Sequence, residues 1–450
     1  MRFLALLAIV ACGSSHHGVD SGGGGDDGGS GMIDAPPADV PYVRGTVKVT
    51  VTNASVAKCN ITPHVVFIDV DQTTTDVVVD SQGKAQADVF PGASVTAACS
   101  RTNTGNPDTY LAVTVQDVEP GDDITLDAAY IFNGTTTADT TASGSMNISF
   151  PAATGTPGYT VETPCGQVGT TQTTGVAMPM KAGCQLATMD LVVTTQTQWT
   201  EAKNVAFANN GSVTVSDTWH AMAPITASYT NAPAFCADGS DADYPCNAQL
   251  TRYVPELHGH HAMSSNAITA SASLMVTSPV SSAAIMQTML TTTGPEYQIF
   301  TDVVDGTQTS YALDFGAREL PWLCRKAPQC PMFSDTAAKL SITVAGTGSY
   351  DLFEADSTFT RGQQIFVWRV FGPTAGDVTF PVLPGSLATM RPVVGDRQSA
   401  THARICESDA LNGWRAARQN PFDSLGTCLQ STNPTSPRYG GTHDRVSASQ

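Results

Sequence analysis

Val47, Val49 and Val51 alternate with Lys48, Thr50 and Thr52. A period of two serves an extended strand with one buried and one wet face, and no helix can use it. The alternation returns at Lys84–Val89, where Ala85, Ala87 and Val89 share one face and Lys84, Gln86 and Asp88 the other. Further runs, His64–Val70, Asp76–Asp80, Ser94–Ser100, Tyr110–Val118 and Asp123–Asp127, are separated by turn formers such as Asp80-Ser-Gln-Gly83 and Pro91-Gly92. About seven short strands in succession is the count of a β-sandwich. The composition agrees: 14% charged residues, 39 Gly and 27 Pro do not suit a coiled coil or helical bundle.

Similar strand patterns recur downstream. A β-rich block over 134–248 includes Ser145–Phe150, Tyr159–Glu162, Val176–Met180, Met189–Thr194 and Ser212–Trp219, with the hairpin signal Asn209-Asn210-Gly211. Another over 249–385 includes Ile268–Val276, Glu296–Val304, Ser310–Phe315, Lys339–Val344 and Gln364–Phe371; one domain with the preceding block is the alternative reading. In its IFVWRVF run every residue but Arg369 reads as buried. Residues 386–450 read as a loop-rich C-terminal segment with one amphipathic helix at Ser408–Gln419. The expected fold is therefore all-β, with two or three tandem antiparallel β-sandwich domains, the first over 43–131.

The words VVFIDVD, VDSQGKAQADVFPGASVT and EPGDDITL in that first domain resemble carboxypeptidase-regulatory-like, transthyretin-type sandwiches. The resemblance implies a scaffold or spacer fold, and peptidase activity does not carry over because no peptidase domain accompanies it.

Ahead of the strands, Met1-Arg2 leads into the apolar run Phe3–Ala11 and then Cys12. This reads as a secretory signal over 1–11, too short to span a bilayer of roughly 30 Å as a helix. Ile9-Val10-Ala11-Cys12 resembles the bacterial lipobox, which implies lipidation at Cys12 and anchoring through N-terminal acyl chains. Gly13, with no Asp after the cysteine, is similar to the pattern of outer-membrane lipoproteins, so the implied class is a bacterial outer-surface lipoprotein. Residues 12–42 are rich in Ser, Gly, Asp and Pro and cannot bury enough apolar surface to offset ordering entropy. They read as a disordered tether with an r.m.s. span of roughly 30 Å.

Eleven cysteines less Cys12 leave ten, an even number that reads as disulfides in an exported chain. Successive pairing gives Cys59 with Cys99, Cys165 with Cys184, Cys236 with Cys246, Cys324 with Cys330, and Cys406 with Cys428.

The net charge of −18 excludes an electrostatic footprint for nucleic acid. Motifs for a nucleophile elbow, a phosphate loop and H-E-x-x-H are absent from the sequence, no G-x-G-x-x-G follows a strand, and nothing calls for a cofactor. Four clusters could carry chemistry. His258 and His260 would share a strand face and, with Glu256, could ligate a metal; the competing reading is polar surface. Asp238, Asp241 and Asp243 offer carboxylates without the spacing of a calcium loop. Trp322, Arg325 and Lys326, beside Arg318 on the Cys324–Cys330 loop, form the densest basic and aromatic cluster, a binding tip for a surface protein or glycan; a stapled turn with Trp322 covering a core edge is the alternative. Asp69, Asp71, Asp76 and Asp80 flank one hairpin, where they protect strand edges or do acid/base work.

The leading expectation is a non-catalytic, lipid-anchored surface protein with a structural, spacer or binding role. Second is a carbohydrate- or protein-binding adhesin using Trp322, and third a metal-dependent hydrolase using His258, His260 and Glu256.

Overall fold

The computed structural model describes residues 43–450 except 54–58, 60–61, 102–107, 129–141, 156–157, 164–165, 182–187, 207, 238–245, 254–260, 269–271, 279–282, 293–295, 325–329, 429–442 and 450. Seven strands open the chain: β1 (Gly45–Thr52), β2 (His64–Ile68), β3 (Thr74–Val78), β4 (Lys84–Val89), β5 (Ala93–Arg101), β6 (Thr109–Val118) and β7 (Asp123–Asp127). The alternation works as expected, with Val47, Val49 and Val51 buried between exposed or half-buried neighbours. β1 lies between β4, antiparallel, and β7, parallel. At the β1–β4 crossing Gly83 adopts φ +77°, and a Cβ there would stand 2.3 Å from the Val51 carbonyl oxygen, so only glycine fits.

Residues 142–221 make a separate sandwich. A five-stranded sheet (Gly166–Thr170, Tyr159–Thr163, Thr188–Thr194, Gln198–Ala206, His220–Ala221) accompanies a three-stranded one (Val176–Lys181, Ala142–Ser149, Ser212–Thr214). Their shared core includes Met146, Ile148, Phe150, Val161, Leu191 and Val193. The strand Ala223–Thr230 falls inside the block expected over 134–248 but belongs elsewhere. It pairs with Ala272–Ser278 and Ser310–Asp314, and Tyr229 packs in one core with Leu250, Leu290 and Phe300.

Further elements include β8 (Asn247–Tyr253), β9 (His261–Ala267), β10 (Ala283–Thr291), β11 (Glu296–Asp305), α1 (Phe315–Arg318), β12 (Trp322–Leu323), β13 (Leu352–Arg361), β14 (Gln364–Gly372), β15 (Arg397–Ser408), α2 (Gly413–Ala417), α3 (Pro421–Cys428) and β16 (His443–Ser449). All of these strands but β12, with β2, β3, β5 and β6 of the first block, build one twelve-stranded sheet in the order β9-β8-β10-β11-β16-β15-β13-β14-β6-β5-β2-β3. Val43–Gln450 form one compact unit.

The fold is all-β, with several sheets stacked as sandwiches, but the tandem order differs from the expectation. The 43–131 block does not close on itself, because β6 runs parallel to β14, Thr109 facing Ile365 and Val115 facing Phe371. One face of this junction packs on the β4-β1-β7 sheet through Val113, Val115, Ile124, Leu126 and Phe371. The other packs Val66, Ile68 and Ala112 against Trp368, Val370, Phe353 and Phe380. Trp368 Nε1 donates to Thr114 Oγ1 at 2.9 Å across the seam.

The segment expected to be loop-rich, 386–450, holds β15 and β16 near the middle of the large sheet. Its Ser, Thr, His and Arg content hid the strand, since Ala403 and Ile405 are the apolar half of a two-residue alternation. β15 runs to Ser408, so the expected 408–419 helix shortens to α2, and Pro421 then opens α3 in the first-turn position proline favours.

Three of the expected disulfides are formed, Cys59–Cys99, Cys236–Cys246 and Cys324–Cys330, with Cα separations of 5.9, 5.3 and 5.1 Å. Cys406 is also disulfide-bonded. Cys165, Cys184 and the side chain of Cys428 lie outside the described residues.

A fragment of residues 43–131 would expose the outer edge of β6 and one apolar face of β2, β5 and β6. It is expected to show no cooperative thermal transition by circular dichroism, whereas the whole chain does.

Candidate functional site

Three neighbouring strands carry the densest group of buried charges among the described residues. In β13, Phe353 and Ala355 face the Trp368 core, so Glu354 and Asp356 face the opposite side with Leu352. The same parity places Arg369 beside Phe371 on β14, and His402 and Arg404 beside Cys406 on β15. Register completes the group: Asp356 lies opposite both Arg369 and His402, and Glu354 lies opposite Arg404. Phe422 of α3 covers it, its ring 5.6 Å from the Arg369 guanidinium carbon and 5.0 Å from the Phe371 ring.

Arg369 Nε lies 3.0 Å from Asp356 Oδ2 and 3.1 Å from Glu354 Oε1. Arg404 Nη1 donates to Glu354 Oε2 at 3.4 Å. His402 Nε2 stands 3.9 Å from Glu354 Oε1, too far for a hydrogen bond but near enough for electrostatic contact. The Glu354 side chain is fully buried, while those of His402 and Arg404 are about a fifth exposed. Burial opposes ionisation of Glu354, but Arg369, His402 and Arg404 outweigh it and hold its carboxyl down at about 2. Burial likewise opposes the charge on Arg369, and Glu354 with Asp356 more than compensates.

Chemically, two carboxylates meet two guanidiniums and cancel. Glu354, Asp356 and His402 bring three ligand-type atoms within 4.8 Å of one another. A divalent cation there would also meet Arg369 and Arg404, so the residue set fits a neutral ion-pair network better than a metal centre. Nor does Glu354 suit a general acid near neutral pH, when its carboxyl is held ionised.

A second buried network sits on β11. The Tyr311 hydroxyl donates to Asp302 Oδ2, and Arg318 Nη1 donates to both Asp302 oxygens at 2.7 and 2.6 Å. Burial and the Asp302 charge push the Tyr311 phenol above its ordinary range. A third fastens α2 to the first block: Arg418 pairs with Glu119 and Asp122 at 2.8 Å and donates to the Asp117 carbonyl.

The expected binding tip is corrected by the structure. Trp322 is 2% exposed, packs edge-on against Phe235 at 5.2 Å, and donates through Nε1 to Glu319 Oε1 at 2.6 Å. It is a core residue, because β12 lies beneath the surface between two apolar clusters. Arg325 and Lys326 lie outside the described residues, as do Glu256, His258, His260, the three aspartates between Cys236 and Cys246, and Cys12.

The hairpin aspartates hold turns. Asp69 pairs with Arg44 at 2.8 Å and accepts from the backbone N–H groups of Val70 and Phe90. Asp71 accepts from Thr73, Asp80 from the backbone of Gln82 and Lys84, and Asp76 pairs with His64 at 2.9 Å.

The charged network escaped the sequence reading because its members alternate with apolar residues, as in Glu-Ala-Asp, Trp-Arg-Val and His-Ala-Arg. In a strand that pattern ordinarily marks a solvated face. Its one signal was Arg369 inside an otherwise apolar run.

No protein-family model and no curated protein matches the chain. Among solved structures, two crystal structures of the pilus adhesin SpaC from Lactobacillus rhamnosus GG, one in an open conformation, align at 9% identity and a TM-score of 0.14. The alignments cover 74% and 76% of this chain and 44% of the adhesin, so the chain spans less than half its length. At that TM-score the likeness carries no inference about fold or role.

Glu354→Gln leaves Arg369 and the partly exposed Arg404 without their shared carboxylate and is expected to cost about 3–5 kcal/mol in denaturant unfolding. Because the folded carboxyl titrates at about 2 and its ordinary value is 4.5, the contribution is complete above about pH 4.5. It is lost as pH falls through about 2, and the variant should lack that part of the acid transition. Trp322→Ala should lower stability by about 3–5 kcal/mol, measured the same way.

Proposed function

We propose that this chain is an exported, lipid-anchored surface protein whose disulfide-stapled β-sandwich body serves a non-catalytic structural, spacer or binding role. The observation that carries the reading is the formation of disulfides between successive cysteines along the chain. Such bonds persist in oxidising compartments and are rare in the cytosol. Successive pairing of the other ten cysteines leaves Cys12 over, where a lipobox-like sequence would place the acylated residue. The Gly-rich stretch before Val43 then stands between lipid and folded body.

The absence of catalysis in this reading is supported by the chemistry of the buried networks. Their carboxylates are matched by arginines and their phenol is held neutral. The adhesin alternative loses its motivating residue with Trp322 in the core. Among the described residues no helix is long and apolar enough to cross a membrane; the proposed attachment is through the acyl chains.

Metabolic labelling with a clickable fatty acid in a bacterial host tests the anchor. The wild-type chain should take up label and partition with membranes. Cys12→Ala should lose the label entirely and appear in the soluble fraction. Label that survives the substitution, or a wild-type chain that takes up none, overturns the proposal.

A further inference from the structure

In the large sheet β16 stands between β11 and β15. β8–β11 on one side and β15 with its successors on the other are both hydrogen-bonded to β16, and in the strand order they do not pair directly. His443–Ser449 lies antiparallel to Asp302–Glu296, and Asp444–Ser449 antiparallel to Ser408–Ala403. β16 is remote in sequence from both flanking strands, and it follows α3 through residues 429–442, which lie outside the described residues.

The walls of this slot are held together without β16. On β12, Trp322 packs into the core of β8, β10 and β11, while Leu323 packs into the core of β13, β14 and β15. Gln298 of β11 exchanges two hydrogen bonds with the Leu320 backbone, donating to its carbonyl at 2.7 Å and accepting from its N–H at 3.3 Å. Leu320 itself belongs to the second of those cores. The two half-sheets therefore keep their spacing through residues 320–323.

Val446 and Ala448 are the described buried residues of β16, and both are small. Two ladders of backbone hydrogen bonds hold the strand on both sides. An empty slot would leave the facing N–H and C=O groups of β11 and β15 unpaired inside the sheet, a cost that any strand of suitable pattern relieves. The same residues from a second copy make the same bonds, so exchange between copies is close to isoenergetic and governed by concentration.

We infer that the channel between β11 and β15 is a strand-accepting site, and that its partner in trans is the 443–449 segment of a second copy of this chain. Exchange links copies through their sheets. The tethered strand competes at an effective concentration of about millimolar, so linkage grows as local chain concentration approaches that range.

The test uses full-length chains with native disulfides formed. Glu407 of β15 and Arg445 of β16 are register partners. One chain carries Glu407→Cys and another Arg445→Cys, so the bond between these two positions closes only when the strand of one occupies the slot of the other. A chain with both substitutions should close the bond internally, which checks the register. Mixing the single variants should give a disulfide-linked heterodimer whose yield rises with concentration. Adding Val446→Asp to the Arg445→Cys chain should abolish it, because a carboxylate would enter the apolar core. The inference is overturned if no heterodimer forms while the double variant closes internally, if the double variant fails to close, or if Val446→Asp leaves the yield unchanged. None of these outcomes depends on the state of Cys12.

Discussion

The parallel ladder between β6 and β14 is the junction on which the rest of the architecture depends. A parallel pair cannot be made by a hairpin and needs a long crossover; here residues 254 apart in sequence meet, as at Trp368 and Thr114. The outer edge of β6 would otherwise present unpaired backbone groups beside apolar side chains. Pairing with β14 satisfies them and lets cores form on both faces of one sheet. The first strands are thereby part of a larger body, which their local sequence resemblance to a self-contained sandwich does not convey.

On the first of those faces, beside Leu352, Phe371 and Cys406, lies the Glu354–Asp356–Arg369–Arg404 network. Burying four charges is tolerable only because each has an opposite charge within contact distance. The network is also sensitive to register. A one-residue slip of β13 would carry Glu354 into the core of Phe353, Trp368 and Phe380, where no described cation waits, and would turn Phe353 toward the arginines. Arg418 acts similarly at the rim, fixing α2, and with it the start of α3, over the β6–β7 turn.

What was legible in the residues follows the range of the interactions concerned. Val47, Val49 and Val51 announced a half-buried strand because alternation is local. Cys236–Cys246 and Cys324–Cys330 were legible because short separations leave few partners. Trp322 was legible only as two alternatives, a binding tip or the cover of a core edge, and the packing of Phe235 and the carboxylate of Glu319 decide for the core. β15 was missed because His402 and Arg404 look solvent-facing until the strands that neutralise them are in place.

By itself the sequence determined the all-β class, the strand periods, the successive disulfide pairs within the described residues and the acidic, motif-poor character of the chain. These depend on side-chain parity, spacing and composition, which are properties of neighbouring residues. The tertiary structure alone decided that β6 pairs with β14, that β16 fills the gap between two half-sheets, and that Glu354, Arg369 and Arg404 converge under Phe422. Each of those is a contact between segments far apart in the chain. Backbone hydrogen bonding is blind to side-chain identity, so strand order is set by how the assembled cores and buried charges fit.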